Sequence, residues 1–332
     1  MRTAPLHLLI INALEDEAAL RATRADVEAA CAHAKHPVPP IEARFLLHGD
    51  PAIPETLEWA DILLGWRLPR GLIARHGQNL RLIQLINAGI DPLLPLDWLP
   101  PGTALCNASG IHAAKLQEWA TMALLMLQMR MPAFANAQSA RLWSRHSTPL
   151  IAGKTLCVFG TGGLGSAVAR AGKALGLTTI GIKRSPAPVP DFDAVLGMDA
   201  ATKTLGSADF VILTLPLTPA TSGLANAAFF AAMRPGAGFA NVGRGGLVDQ
   251  PALCAALHSE HLSGAIIDVA TPEPLPPGSP LWTAKNLIIT PHVSCDDPNT
   301  YIADSMHLLL ENLRRLRSGQ PLKNLIDPLK GY

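Results

Sequence analysis

The residues best suited to chemistry lie in three separated segments: Asn241-Val242-Gly243-Arg244-Gly245-Gly246, then Asp268 leading to Glu273-Pro274-Leu275, then Thr290-Pro291-His292. They supply a guanidinium charged at any working pH, a carboxylate, and an imidazole that titrates near neutrality. A guanidinium can direct two hydrogen bonds at an oxyanion. A carboxylate beside an imidazole favours the imidazolium, the form that protonates a nascent alkoxide. Downstream of a nucleotide loop, these are the parts needed to deliver a hydride and a proton to a carbonyl. Singly, each has a blander reading: Arg244 as a surface cation, Glu273 as a loop charge, His292 as a turn residue beside a proline. Their order, each at an expected strand end where α/β proteins bind ligands, favours catalysis.

The nucleotide loop is Gly160-Thr161-Gly162-Gly163-Leu164-Gly165, a GxGxxG between an expected strand, Leu156 to Phe159, and an expected helix, Gly163 to Leu175, which Gly176 closes. The first glycine allows the tight turn, the second lets the backbone approach a pyrophosphate, and the third lets helix and strand pack closely. Where an NAD-specific protein places an acid for the ribose hydroxyl, after the strand Thr178 to Ile182, the chain reads Lys183-Arg184-Ser185. Two cations and a hydroxyl suit a ribose 2′-phosphate, so NADPH is the expected cofactor.

These segments need an α/β scaffold, and the first ~105 residues alternate apolar strands with helical stretches. Leu6 to Ile11, Ala43 to Leu47, Asp61 to Gly65 and Leu82 to Leu85 read as strands, and Glu15 to Ala34 as a helix ended by Pro37, Pro39 and Pro40. Ile111 to Arg130 reads as a connecting helix terminated at Pro132, Thr300 to Arg317 as an amphipathic helix, and Pro272 to Pro280 as a proline-rich loop.

Composition narrows the function classes. With 332 residues, 48% hydrophobic and 16% charged, the chain can bury cores for about two domains. Lys plus Arg number 27 against 26 Asp plus Glu, with no long basic run, which argues against a nucleic-acid or membrane-surface role. Leu6 to Ile11 is too short to span a bilayer, and the acids Glu15, Asp16 and Glu17 follow where a signal peptide needs small residues, so a cytoplasmic protein is expected. Five cysteines without a CxxC pair, and eleven histidines without HxH or HxxxH spacing, give no reason to expect a disulfide framework or a metal.

The segments above, with Asn87-Ala88-Gly89-Ile90-Asp91, Leu215-Pro216-Leu217-Thr218-Pro219, Pro280-Leu281-Trp282 and the terminal Gly331-Tyr332, make the chain resemble the D-isomer-specific 2-hydroxyacid dehydrogenase family over nearly its whole length, and within it the glyoxylate/hydroxypyruvate reductase branch. The resemblance implies an α/β architecture of two Rossmann-like doubly wound parallel-sheet domains. An NAD(P)-binding domain, 111–296, would be inserted into a flavodoxin-like substrate domain made of 1–110 and completed by 297–332. It implies that Arg244 binds the substrate carboxylate and carbonyl oxygen, that His292 is the general acid/base, and that Glu273 orients and charges His292. Glutamate at 273 also sets the chain apart from formate dehydrogenases, where a neutral amide is expected.

The resemblance further implies that Gly163 and Leu164 offer N–H groups to pyrophosphate and that Leu215 and Pro216 flank the adenosine. Val242, Gly243 and Asp268 would lie by the nicotinamide, Asp268 on its carboxamide. Ala88, Gly89 and Ile90 would receive the substrate carboxylate through backbone N–H groups. Trp66, Leu68 and Ile90 could line an apolar substrate pocket, although Trp66 and Leu68 could equally be core. The chain departs from the family pattern at Ala270, where an aromatic residue often stands, a change read here as local packing. The resemblance and the apolar run from Ile111 to Pro132 imply a homodimer built on the nucleotide domain. Trp143 lies in a segment, Arg141-Leu142-Trp143-Ser144, that in related reductases can reach the neighbouring subunit's site, although a tryptophan is as often core as interface. The expected activity is NADPH-dependent reduction of small 2-oxo acids to D-2-hydroxy acids. The alternative is a cofactor-sensing corepressor or scaffold on the same fold. Phosphoglycerate dehydrogenase with a regulatory module fits less well, because the chain ends soon after the final expected helix.

Overall fold

Near-continuous apolar runs are what a parallel strand covered on both faces requires. Such runs in β1 (Leu6–Asn12), β3 (Ile62–Gly65), β4 (Leu82–Leu85) and β5 (Ala104–Cys106) join an edge strand carrying Glu42 and Arg44, β2 (Ile41–Leu47), in a parallel sheet of order β2-β1-β3-β4-β5. This is the flavodoxin-like order. In the computed structural model, which describes residues 5–14 and 17–327, this sheet belongs to a unit spanning Met1–His112 and Asp297–Tyr332, while Ala113–Asp296 forms a second unit. The terminal Gly331-Tyr332 lies outside the described residues.

Alternation along the strands sends Leu9, Ile11, Leu63 and Ile83 to a core with Ile53, Leu57 and Ile73. It sends Leu8, Ile10, Ile62 and Leu64 to a core with Ile302, Met306, Leu309 and Leu313. The latter four lie on the helix Tyr301–Arg317, so the carboxy-terminal part of the chain covers one face of the sheet begun at the amino end.

The helix expected from Glu15 begins later. Residues 15 and 16 lie outside the described residues, Ala18–Leu20 is a single 3₁₀ turn, and the α-helix runs Arg24–Ala32. Its start is set by a capping box, in which Thr23 Oγ1 accepts from the Asp26 N–H at 3.4 Å and Asp26 Oδ2 accepts from the Thr23 N–H at 2.8 Å.

The second sheet contains β6 (Thr155–Phe159), β7 (Thr178–Ile182), β8 (Ala194–Leu196), β9 (Phe210–Leu213), β10 (Ala237–Asn241), β11 (Leu262–Ile267) and β12 (Leu287–Ile289). They run parallel in the order β12-β11-β10-β9-β6-β7-β8. The order reverses between β6 and β9, the switch point at which doubly wound sheets bind ligands beyond the carboxyl ends of their strands. The helix Gly163–Ala174 follows β6, and Gly176, at φ +76°, turns the chain into β7.

The helix expected over Ile111 to Arg130 runs Ala113–Gln128, and a second helix, Met131–Ser139, follows it. Arg130 takes a left-handed φ of +54° at the break. Pro132 sits in the first turn of the second helix, where its missing N–H costs no hydrogen bond, so it opens a helix there rather than closing one. Among the described residues no helix is long and apolar enough to cross a membrane, and no group of three His, Cys, Asp or Glu could hold a metal ion.

Candidate active site

The glycine loop leaves the carboxyl end of β6. Gly160 has φ +100°, and a Cβ there would lie 2.7 Å from Thr214 Oγ1. A Cβ on Gly165 would lie 2.0 Å from the Gly160 carbonyl oxygen, so the third glycine is what lets the helix start against the loop. Gly162 differs: a Cβ there meets nothing within 4 Å. It is the N-cap of Gly163–Ala174, and no side chain caps that helix. An anion seated over Gly162 would find the unpaired N–H groups of the first turn, Gly163 and Leu164 among them, so the loop fits a pyrophosphate.

Lys183, Arg184 and Ser185 follow β7 directly, with Arg184 and Ser185 exposed. The next acids are engaged elsewhere: Asp191 pairs with Arg170 at 3.1 Å, and Asp193 with Lys173 at 3.1 Å. The turn therefore presents cationic and hydroxyl groups, the chemistry of a phosphate site.

Arg244 stands on the loop after β10. Asn241, fully buried, closes this loop by donating from Nδ2 to the Arg244 carbonyl at 2.9 Å and accepting the Gly243 N–H on Oδ1 at 3.0 Å. The Arg244 guanidinium donates to the Gly243 carbonyl at 2.7 Å. A Cβ on Gly243 would lie 2.7 Å from the Leu215 carbonyl oxygen, which places Val242 and Gly243 beside the Leu215-Pro216 segment that follows β9. A Cβ on Gly245 would lie 1.9 Å from the Ala270 carbonyl oxygen, so the Arg244 loop rests directly on the segment leading to Glu273. Ala270 itself is buried in the core of this unit.

Glu273 and His292 meet at 2.7 Å between Oε2 and Nδ1, while Glu273 Oε1 accepts the Ala270 N–H at 2.9 Å. The hydrogen bond that His292 donates to Glu273 raises the His292 pKa above its ordinary value, outweighing the burial and the nearby Arg244 that lower it. Burial pushes the Glu273 carboxyl up, but the bonds from His292 and Ala270 and the charge of Arg244 bring it below its ordinary value. Each partner favours the charged form of the other, while about half of the imidazole faces solvent at 51% exposure.

Asp268 is 1% exposed. Its Oδ1 accepts from Thr290 Oγ1 at 2.5 Å and the Val293 N–H at 3.0 Å, its Oδ2 accepts the Ser294 N–H at 3.0 Å, and its carbonyl accepts the His292 N–H at 2.8 Å. The residue expected on a nicotinamide carboxamide thus also holds the turn that carries His292. Sequence reasoning assigned neither this grip nor the part of Asn241. The partners of Asp268 lie 22 to 26 residues away, with no local pattern to announce them.

The remaining candidates belong to the first unit. In the turn after β4, Asn107 Nδ2 donates to the Ala88 carbonyl at 2.6 Å and Asn87 Nδ2 to that of Gly89 at 2.5 Å. Ile90 and Leu68, 3% and 7% exposed, pack into the core of this unit, the place that is the second reading for Leu68. Trp66 is half-buried against the core with Ile10 and Met306. In the second unit, Trp143 is 100% exposed, in a stretch without regular secondary structure.

A strand-loop-helix nucleotide cradle, a switch point, and an arginine beside a carboxylate-imidazole pair define a nucleotide-dependent oxidoreductase domain. Residues 121–294 match the family model described as D-isomer specific 2-hydroxyacid dehydrogenase, NAD binding domain, and the chain belongs to that family. It is 31% identical over 252 residues to the glyoxylate reductase/hydroxypyruvate reductase of Mus musculus, covering 74% of this chain and 76% of the relative. A D-isomer specific 2-hydroxyacid dehydrogenase from Xanthobacter autotrophicus Py2, solved with NADPH and MES, superposes with a TM-score of 0.83 at 31% identity, covering 98% of this chain and 99% of the other. The NADPH-dependent glyoxylate/hydroxypyruvate reductase of Sinorhizobium meliloti, solved with NADP and sulfate, gives 0.80 at 29% identity, with 98% and 99% covered.

Proposed function

We propose that this chain is an NADPH-preferring reductase of small 2-oxo acids of the glyoxylate or hydroxypyruvate kind, producing D-2-hydroxy acids. The observation that carries the reading is the 2.7 Å pairing of His292 with Glu273 beside Arg244, in a member of this family. In the proposal, residues 111–296 bind the cofactor, and 1–110 with 297–332 bind the substrate. Gly160, Gly162, Gly163, Leu164 and Gly165 hold the pyrophosphate, and Lys183, Arg184 and Ser185 the 2′-phosphate. Leu215 and Pro216 flank the adenosine, and Val242, Gly243 and Asp268 border the nicotinamide. NADPH found with one structural relative and NADP with another supports the cofactor assignment.

Bound NADPH supplies the hydride that the substrate C2 receives. Arg244 holds the substrate carboxylate and the carbonyl oxygen, on which negative charge grows as the hydride arrives. Glu273 occupies Nδ1 of His292, leaving Nε2 to pass its proton to that oxygen. The backbone at Ala88, Gly89 and Ile90 receives the substrate carboxylate, and Trp66 contacts the substrate. The cytoplasm, where thiols stay reduced, suits the five free cysteines. Following NADPH oxidation with glyoxylate, hydroxypyruvate and pyruvate tests the activity. Tight NADPH binding without turnover of any 2-oxo acid would favour the sensing or scaffold alternative.

We also propose a homodimer built on residues 111–296. Met122 and Leu125, spaced to share one face of Ala113–Gln128, and Met129 just past its end are 39 to 49% exposed, and Trp143 lies wholly open on the following segment. Sedimentation at micromolar concentration should give twice the chain mass, and Leu125→Asp should shift it to monomer. A monomeric wild type would overturn the dimer.

A further inference from the structure

His292 holds a backbone conformation uncommon for a residue with a side chain, φ +57°. The turn around it is fixed from below by Asp268, whose carbonyl takes the His292 N–H and whose two carboxylate oxygens take the N–H groups of Val293 and Ser294. A carboxylate gripping two successive N–H groups can still rock about its own bond, so what steadies Asp268 steadies His292. Thr290 Oγ1 donates to Asp268 Oδ1 at 2.5 Å, and Trp119 Nε1 donates to Thr290 Oγ1 at 3.2 Å. The direction of this chain is fixed by chemistry. An indole N–H can only donate and a hydroxyl has one proton, so with Trp119 donating to it, the Thr290 hydroxyl spends its proton on Asp268. Trp119 is 7% exposed, packed in the core beneath the second sheet on the long helix Ala113–Gln128.

We propose that Trp119 and Thr290 are positioning residues for proton transfer: the relay from indole to hydroxyl to Asp268 carboxylate ties the His292 turn to a rigid helix and keeps the imidazole in register with Glu273. The inference rests on reading His292 as the acid/base. Three charged groups act on the imidazole, Glu273 and Asp268 favouring its protonated form and Arg244 opposing it. A loosened turn weakens the short bond to Glu273 most, because that bond depends on alignment, so losing the relay should lower the His292 pKa.

The test uses the full-length protein with Thr290→Val, Thr290→Ser and Trp119→Phe. NMR titration of the His292 imidazole, its signal identified by its loss in His292→Asn, should show a lower pKa in Thr290→Val by roughly half a unit. kcat/KM for glyoxylate should fall about ten-fold, as expected for a reacting group slightly out of line, while NADPH affinity stays within two-fold. Thr290→Ser, which keeps the hydroxyl, should restore both readouts, and Trp119→Phe should move both in the same direction by less. A wild-type His292 titration in Thr290→Val, or equal impairment of the valine and serine variants, would overturn the proposal. If Thr290→Val loses NADPH affinity through misfolding, Trp119→Phe decides, and an unchanged titration there rejects the relay. His292→Asn separates the two readings. Full activity in that variant removes the acid/base assignment and this inference with it, whereas an inactive His292→Asn beside an unaffected Thr290→Val removes the relay alone.

Discussion

Glu273 divides its carboxylate between two tasks, one oxygen on His292 Nδ1 at 2.7 Å and the other on the Ala270 N–H at 2.9 Å. The second bond fixes the direction of the first. A carboxylate pinned by backbone cannot swing away when the imidazole changes charge, so the pair keeps its geometry through a proton-transfer cycle.

The pH dependence of reduction should report this pair. Because the folded-state pKa of His292 is raised, the imidazolium persists above the pH at which a free imidazole loses its proton, and reduction should decline as pH rises through that raised value. Glu273→Gln keeps a group of the same shape but removes the charge that favours imidazolium. Its basic limb should move to lower pH. A fully active variant with an unchanged profile removes Glu273 from the mechanism.

Substrate anchoring should depend on Arg244. Its replacement by alanine is expected to cost on the order of 3 kcal/mol or more in kcat/KM, the effect of losing a preorganised oxyanion donor. Arg244→Lys should recover only part, since a point charge cannot make the two-pronged contact. Aldehydes or ketones matching the 2-oxo acids but lacking the carboxylate should be poor substrates. Comparable kcat/KM for such an analogue contradicts the assigned role.

Cofactor choice should follow the turn after β7. Arg184→Ala is expected to weaken NADPH by about 1.5 to 3 kcal/mol through loss of a charge-assisted phosphate contact, with a much smaller effect on NADH. Binding titrations with both cofactors check it, and an equal loss for the two would place the 2′-phosphate elsewhere.

The glycine loop offers a contrast between folding and binding. Gly165→Ala forces a Cβ to 2.0 Å from backbone and should destabilise the fold by about 1 to 3 kcal/mol, read in chemical denaturation. Gly162→Ala puts its Cβ into open space and should change stability by no more than about 1 kcal/mol. It should nevertheless impair cofactor binding, because the methyl group occupies the room proposed for the pyrophosphate. NADPH affinity unchanged in Gly162→Ala would mean that the anion does not sit there.

Much of the scaffold and many of the candidate residues were readable from local pattern. The GxGxxG, the cationic turn at 183–185 and the apolar strands are contiguous signals whose meaning follows from backbone geometry. What escaped was non-local or conformational. The second helix, Met131–Ser139, was not expected, because Pro132 read as a terminator and the turn before it is made by Arg130, a left-handed residue that is not glycine. The start at Thr23 was written in its capping box but hidden by helix-forming residues upstream. The burial of Ile90 depends on a core assembled from distant strands. The Trp119–Thr290 bond joins residues 171 apart, and only folding brings an indole donor to a hydroxyl acceptor over that separation.

The division of the first unit across the chain bears on how the protein is made. Residues 113–296 form their unit from one uninterrupted stretch, so that unit can complete its sheet while synthesis continues. The first sheet is synthesised earlier but must wait, because the face carrying Leu8, Ile10, Ile62 and Leu64 is covered by Met306, Leu309 and Leu313 from the helix Tyr301–Arg317. During that interval only part of this face is covered, by Val27 and Ala30 of the helix Arg24–Ala32. The unit begun first is finished last.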